Sequence, residues 1–401
     1  MKRRVVITSM GVVSSLGRSA GDMMKSLKEK SVAFERQSYD RDVVAAPVKD
    51  FKVRSYTGPY KDGRYLNRGA QFAVASALDA VRYSGYNGNF PKEAGLFVGA
   101  GPNLNIGGEF PDVNCGNMDR RDLQALWILK FLPNTAASVI ASLLGIHGEN
   151  LTVSTACSAS LQAIGEAFRR VKDGYLDCAL AGGGDSRLSP GGILAYSKAQ
   201  ALCNGDGDPR EASRPFDYKR SGFAPGEGGA FFLLEEFETA KKRGANIYGE
   251  ICGYGCSLDG CNMTAPDTKG ESGKAAVTAA LKEADMATSQ IEAVFAHGTG
   301  TVLNDEMEAN LIFDLYGKRQ PPVTAIKSWI GHAASACGAL ELAIALACLE
   351  EGYLPEIRNL EEPCREDVNF VRGGLSIPFD TAVIENFGFG GQNSALVVKR
   401  I

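Results

Sequence analysis

No stretch of this 401-residue chain is apolar for the roughly 20 consecutive residues that a membrane-spanning helix needs, so no membrane insertion is expected. A large excess of one charge is missing as well. Forty-three Lys and Arg against 47 Asp and Glu leave a net charge of -4, which excludes a general pull toward nucleic acid or an anionic surface. An acidic partner would have to be met by a local basic patch. Low-complexity linker sequence is absent, so domains strung on a flexible tether are not expected. Histidine is scarce, with only three residues.

Two further features exclude more than they suggest. The start, MKRRVVITSMGVV, pairs a basic segment with an apolar run, but the run is short, broken by Thr8 and Ser9, and no convincing cleavage site follows it. It reads as a first strand and turn, and the chain as cytoplasmic. The ten cysteines are scattered, and Cys178, Cys252 and Cys348 stand in apolar or glycine-rich contexts. Free thiols in a reducing compartment fit this spacing better than a disulfide scaffold.

What is present is an ordinary globular composition, 44% hydrophobic and 22% charged, long enough for two core-bearing units. Short β-branched runs alternate with helical patterns: Val5 to Thr8, Ala94 to Val98, Leu151 to Ser154, Cys178 to Ala181, Ala230 to Leu234, Ile291 to Ala296 and Ala395 to Val398. This alternation predicts an α/β fold. Leu161, Ile164, Phe168 and Val171, spaced three, four and three apart, predict one buried helix face. Glycines gather where strands should end, in GAGPN, GGGD, HGTGT and GFGGQN. Such turns leave room for a site at the strand ends. The helix-favouring FETAKKRGAN separates a first half, residues 1–245, from a second, 246–401, expected to pack together.

In ENLTVSTACSASLQAIGEAFRRVKDG the pattern is strand, small-residue turn, then helix, with Cys157 at the junction. The positive end of a helix dipole would favour its thiolate. A small buried cysteine at a tight turn is the alternative, and the local sequence leaves both open. Of the histidines, His147 reads as a structural loop residue. His297 in VFAHGTGT and His332 in KSWIGHAAS follow apolar stretches and lie among small polar residues. Both suit proton transfer or hydrogen bonding to a developing oxyanion.

TACSAS, HGTGTVLND, KSWIGHAASACGALE and NFGFGGQN, in this order and spacing, resemble the active-site motifs of the elongating β-ketoacyl-acyl-carrier-protein synthases of the thiolase superfamily. The resemblance runs over essentially the whole chain. It implies a thiolase-like fold of two pseudo-repeated halves in a five-layer αβαβα arrangement, and decarboxylative Claisen condensation of a Cys157-bound acyl group with a malonyl unit. Site roles follow by resemblance. Cys157 would carry the acyl group, His297 and His332 would polarise the malonyl thioester, and Lys327 and Glu341 would hold the histidines. Phe389 would gate the acyl pocket and share an oxyanion hole with Cys157, while Thr299 and Thr301 would meet the phosphopantetheine arm. No cofactor is implied, the substrates being malonyl and acyl thioesters on an acyl carrier protein, nor is a metal. A homodimer is implied, or a heterodimer with a related subunit. For carrier docking the basic candidates are Arg64 and Arg68, which on one helix would share a face, then Arg120 and Arg121.

The main reading is condensation in fatty-acid elongation, and departures from the family's pattern add an alternative, a specialised paralogue in polyketide, aryl polyene or unusual fatty-acid synthesis, as the active half of a heterodimer with a chain-length-factor-like subunit. DGCNMTAPD has Asn262 where a histidine is usual, and the gating-loop residues implied are Asp259, Asn262, Gly388 and Gly390. The segment Pro102 to Asp119 is unlike the family's, and GQN replaces GTN. A non-catalytic partner subunit is opposed by the presence of Cys157 with both histidines. A cysteine hydrolase is opposed by the second histidine and the carrier-type loops.

Overall fold

The structure, a computed structural model, describes residues 3–39, 42–105 and 125–401. Among these residues ten strands join into one hydrogen-bonded order, five from each half of the chain. In the first half they are β1 (Val5–Val13), β2 (Gly95–Gly99), β3 (Asn150–Val153), β4 (Cys178–Ser186) and β5 (Glu227–Glu236). In the second they are β6 (Gly249–Leu258), β7 (Ala293–Phe295), β8 (Val323–Thr324), β9 (Thr381–Gly388) and β10 (Gln392–Lys399). The first set runs β3-β2-β4-β5-β1 and the second β8-β7-β9-β10-β6, the same topology twice. In each set the first three neighbours are parallel and the last two pairings antiparallel. A short β1–β6 ladder, Val5↔Ile251 to Ile7↔Gly249, links the sets.

The main helices repeat as the strands do. They are α1 (Arg68–Arg82), α2 (Thr135–Leu144) and α3 (Ala159–Lys172) in the first half, and α4 (Glu271–Ala284), α5 (Val302–Tyr316) and α6 (Cys337–Glu351) in the second. Helices α3 and α6 pack on each other between the two sets of strands, and α1 and α4 cover the outer faces. The result is the five-layer αβαβα fold. Every residue of α6 from Cys337 to Leu349 is buried, because a helix sandwiched on all sides has no face for water. The expected apolar stripe of α3 is there: Leu161, Ile164, Phe168 and Val171 are buried.

All seven expected strand runs lie in or overlap strands, but β6 carried no signal. Its sequence, GEICGYGCSL, is glycine-rich because α4 lies directly against it. A Cβ on Gly255 would stand 2.0 Å from Ala276 O, and one on Gly253 would stand 2.2 Å from Ala280 O. Residues that mark a strand in sequence would hold this helix off the sheet.

Candidate active site

The two halves bring their chemistry together at the ends of α3 and α6. Each of these helices is preceded by a single 3-10 turn, Ala156–Ser158 before α3 and Ala334–Ala336 before α6. Both turns open on an alanine in the left-handed region, Ala156 at φ 48° and Ala334 at φ 46°. Such strain is held by the surrounding structure and is common where a side chain must be presented at a sharp angle. The first turn presents Cys157. The second begins two residues after His332.

Cys157 Sγ lies 3.3 Å from His332 Nε2, and the donor atoms of Cys157, His297 and His332 all fall within 4.8 Å of one another. All three side chains are buried. The imidazoles stand edge to face, with centroids 5.8 Å apart. Each has its Nδ1 engaged as an acceptor. Ala334 N–H donates to His332 Nδ1 at 3.0 Å, and Lys327 Nζ donates to His297 Nδ1 at 3.0 Å. A neutral imidazole with an accepting Nδ1 carries its proton on Nε2, so both rings turn N–H donors toward the space beside Cys157. Burial first, then the Lys327 charge, holds both imidazoles well below their usual pKa. They are neutral at pH 7.

Lys327 and Glu341, which local sequence would put on the surface, are buried side chains. The Lys327 ammonium uses all three donors, to His297 Nδ1, to His297 O at 2.6 Å and to Glu341 Oε1 at 2.5 Å. Burial opposes its charge most strongly, but Glu341, Cys337 and Glu308 together keep its pKa above the ordinary value. This fixed positive charge beside His297 disfavours a metal ion among the three donors.

The expectation of a thiolate at a helix start is corrected by the structure. Cys157 sits in the 3-10 turn, two residues before α3, and burial pushes its thiol up to about 11, against the lowering pull of Lys327 and of the Phe389 backbone N–H. Desolvation of a buried anion outweighs the helix dipole. The resting group is a thiol.

Cys157, both histidines, Thr299, Thr301 and Phe389 line one cavity of about 390 Å³. The Thr299 and Thr301 hydroxyls are 2.9 Å apart. Phe389 is 39% exposed at the turn of the β9–β10 hairpin and lines this cavity. Gly388 and Asp259 also line the cavity, while Gly390 N–H donates to Met263 O at 2.9 Å and Asp259 N–H to Gly391 O at 2.9 Å. Asn262 does not reach the cavity. Its carboxamide oxygen caps its own turn, accepting from Thr264 N–H at 2.9 Å and Ala265 N–H at 3.0 Å.

The arginine pair is also corrected. Arg64 lies in a 3-10 turn, Lys61–Tyr65, and Arg68 begins α1 after extended Leu66 and the capping Asn67, so they share no helix face. Arg68 is held bidentate by Glu227 at 2.8 and 3.2 Å, with Phe72 beneath it at 4.8 Å. The ion pair fixes the guanidinium in place, with the Arg68 side chain 41% exposed. Arg64 is exposed, and Arg120 and Arg121 lie outside the described residues. His147 is exposed and away from the centre.

Several residues at the centre went unassigned in the sequence. Asp305 and Glu308 of α5 brace the HGTGT loop. Glu308 accepts from His297 N–H at 2.6 Å and Gly298 N–H at 2.8 Å, and Asp305 accepts from Thr299 and Gly300 N–H. Asn386 donates to Glu341 Oε2 at 2.5 Å, and the Cys337 thiol lies 3.2 Å from His332 Nδ1. The spacing HGTGTVLNDEME was a usable signal for Asp305 and Glu308, since both lie near the start of the following helix. Nothing local marks Asn386 or Cys337.

Comparison with known proteins agrees with this geometry. The Beta-ketoacyl synthase N-terminal domain matches residues 2–240 and the Beta-ketoacyl synthase C-terminal domain matches 248–361. The chain is 34% identical over 418 residues to 3-oxoacyl-acyl-carrier-protein synthase 2 of Coxiella burnetii, covering 100% of this chain and 99% of that one. Among solved structures, a beta-ketoacyl synthase from Burkholderia phymatum superposes with a TM-score of 0.91 at 31% identity over 100% of both chains. A type II PKS ketosynthase bound to the hexaketide, in complex with its acyl-carrier protein, gives 0.85 at 25% identity over 100% of both. With both domain families and a full-length relative matched, this chain belongs to the beta-ketoacyl synthase family.

Proposed function

We propose that this protein is a 3-oxoacyl-acyl-carrier-protein synthase, an acyltransferase that condenses a Cys157-bound acyl group with malonyl-acyl-carrier-protein in fatty-acid elongation. The observation that carries the reading is the pair of Nε2–H donors, from His297 and His332, aimed at the space beside a buried thiol.

The steps follow from these groups. Transfer of the acyl group forms the Cys157 thioester, and the thiol proton leaves on the carrier's phosphopantetheine sulfur. Malonyl thioester then enters along Thr299 and Thr301, and its carbonyl oxygen accepts from both imidazoles. Loss of carbon dioxide leaves an enolate whose negative oxygen those donors stabilise, so no strong base is needed. The enolate carbon attacks the Cys157 thioester, whose oxyanion is met by the backbone N–H groups of Phe389 and Cys157. Collapse expels Cys157 as a thiolate, which takes a proton from water to regain the resting thiol, and releases 3-oxoacyl-carrier. The electrons remain paired throughout, and no cofactor is required.

An acyl carrier protein is the partner in this reading, as one is for the related ketosynthase solved in such a complex. Arg64 remains the docking candidate. The enzyme would act in the cytoplasm as a homodimer or beside a related subunit, and the halves would divide near residue 245. The likeness to a type II polyketide ketosynthase supports a second reading, in which the same condensation serves polyketide synthesis.

The test is to mix the purified protein with acyl-carrier and malonyl-carrier substrates and weigh the products. Carbon dioxide release with formation of 3-oxoacyl-carrier is expected. Free fatty acid as the only product would replace condensation by hydrolysis.

A further inference from the structure

A second cavity, of about 430 Å³, lies beside the reaction centre, lined in part by Gly101, Pro102, Asn103, Asp185 and Ser186. Cys157 does not line it. The wall between this cavity, which Asp185 lines, and the turn that follows His332 holds a buried ion pair, Arg187 with Asp185, at 2.8 Å. Arg187 is 4% exposed and Asp185 5%. The guanidinium also donates to Pro102 O, a residue of the cavity lining. On the other side, Asp185 Oδ2 accepts from Ser335 N–H at 3.1 Å, three residues beyond His332. The wall is tight. A Cβ on Gly101 would fall 1.9 Å from Arg187 Nη2, 2.7 Å from Ser335 Oγ and 2.8 Å from Asp185 Oδ2.

The geometry points to Arg187 as a specificity-determining residue that closes the acyl side of the Cys157 site, limiting the enzyme to short acyl groups. The inference rests on the condensing function proposed above. A long alkyl chain on Cys157 would have to displace a guanidinium held by two partners, and opening the wall would leave the Asp185 carboxylate buried beside hydrocarbon. Proximity supports this assignment. Cys157 and Arg187 each perturb the other's ionisation, and Tyr196 is perturbed by both. Ser335 Oγ, 1% exposed, has no hydrogen-bond partner among the described residues, so the wall presents a bare polar atom as well as a charge. An acyl group that ends before the wall meets none of these costs.

Acylation of Cys157 can be read directly as intact protein mass, with acetyl, butyryl, octanoyl and dodecanoyl N-acetylcysteamine thioesters as donors, so that carrier docking plays no part. Wild-type enzyme is expected to take acetyl and butyryl, with acylation rates falling roughly tenfold or more at octanoyl, since groups that do not fit a packed pocket are rejected on that scale. The double variant Asp185→Asn with Arg187→Ala removes the pair without leaving a lone buried charge, and should restore octanoyl and dodecanoyl to within a few-fold of butyryl. Arg187→Lys should keep the short preference. Equal wild-type rates for butyryl and dodecanoyl would overturn the inference even if no variant folds. So would a folded double variant with an unchanged profile. Absence of acylation by every donor would overturn the condensing function, and this inference with it.

Discussion

At the scale of single residues, the site depends on which groups are kept neutral and which charged. Cys157 is a thiol until it meets its substrate, because burial outweighs the nearby cation. Its alkylation by iodoacetamide in the free enzyme should therefore be slow at pH 7 and rise toward pH 11, without the midpoint at about 8.5 that an unperturbed thiol shows. A plateau below pH 8 would mean a preformed thiolate. Cys157→Ser should lower condensation by roughly a thousandfold or more with the fold intact. Lys327 has a different role, since its ammonium holds His297 and neutralises Glu341. Lys327→Met leaves Glu341 buried and unpaired, which costs about 3–5 kcal/mol. Adding Glu341→Gln should recover most of the stability while activity stays low, because His297 Nδ1 has lost its donor. Recovery of both would reduce Lys327 to a structural role.

Between elements, the close approach of helix to helix and helix to sheet sets the site's dimensions. Gly338 of α6 lies where a Cβ would stand 2.5 Å from both Leu161 Cβ of α3 and Asn386 Oδ1. Gly338→Ala should push the two central helices apart, lowering stability by about 1–3 kcal/mol. Since Cys157 lies in the turn that leads into α3 and His332 two residues before the turn that leads into α6, the 3.3 Å contact should lengthen and activity fall further than stability predicts. Denaturant melts with parallel assays would show this. An equal and small effect on both would mean the helices adjust without moving the site.

For the molecule as a whole, burial of titratable groups predicts the pH range of stability. His297 and His332 are held well below the unfolded value, so their neutral forms favour folding above about pH 6.5, and this contribution is lost as pH falls below it. Cys157, raised to about 11, favours folding as a thiol. That contribution is complete below about pH 8.5 and is lost as pH rises from there toward 11. Thermal melts should peak between these limits, and a variant with both histidines replaced by Asn should lose less Tm between pH 7 and pH 5 than the wild type. A steeper acid fall in the variant would assign acid sensitivity elsewhere. Carrier docking is also tested at this scale. Arg64→Glu should raise KM for acyl-carrier substrate, more so at low salt, and leave a small thioester unaffected. Arg68→Glu faces Glu227 and should impair both substrates by damaging the fold.

The four motifs in order carried the resemblance that implied the fold and the roles of Cys157, His297 and His332, while local signatures alone showed the α/β alternation and the strand-end turns and left Cys157 open. The buried stripe of α3 was legible from the three, four and three spacing of Leu161, Ile164, Phe168 and Val171. Other features are set by neighbours distant in sequence. Strand β6 was silent because its glycines answer to α4, and Lys327 and Glu341 looked like surface charges until they were found paired 14 positions apart within the core. The helix dipole argued for a thiolate, and only three-dimensional burial reversed that. Arg64 and Arg68 looked like one basic face from their spacing, but the break at Leu66 and the partner at Glu227 separated them. Sequence by itself determined which side chains are there to serve the proposed chemistry, since side-chain type and local turn are written in it. Tertiary structure decided their protonation, their partners and the wall at Arg187, since desolvation and contact depend on what the fold brings near.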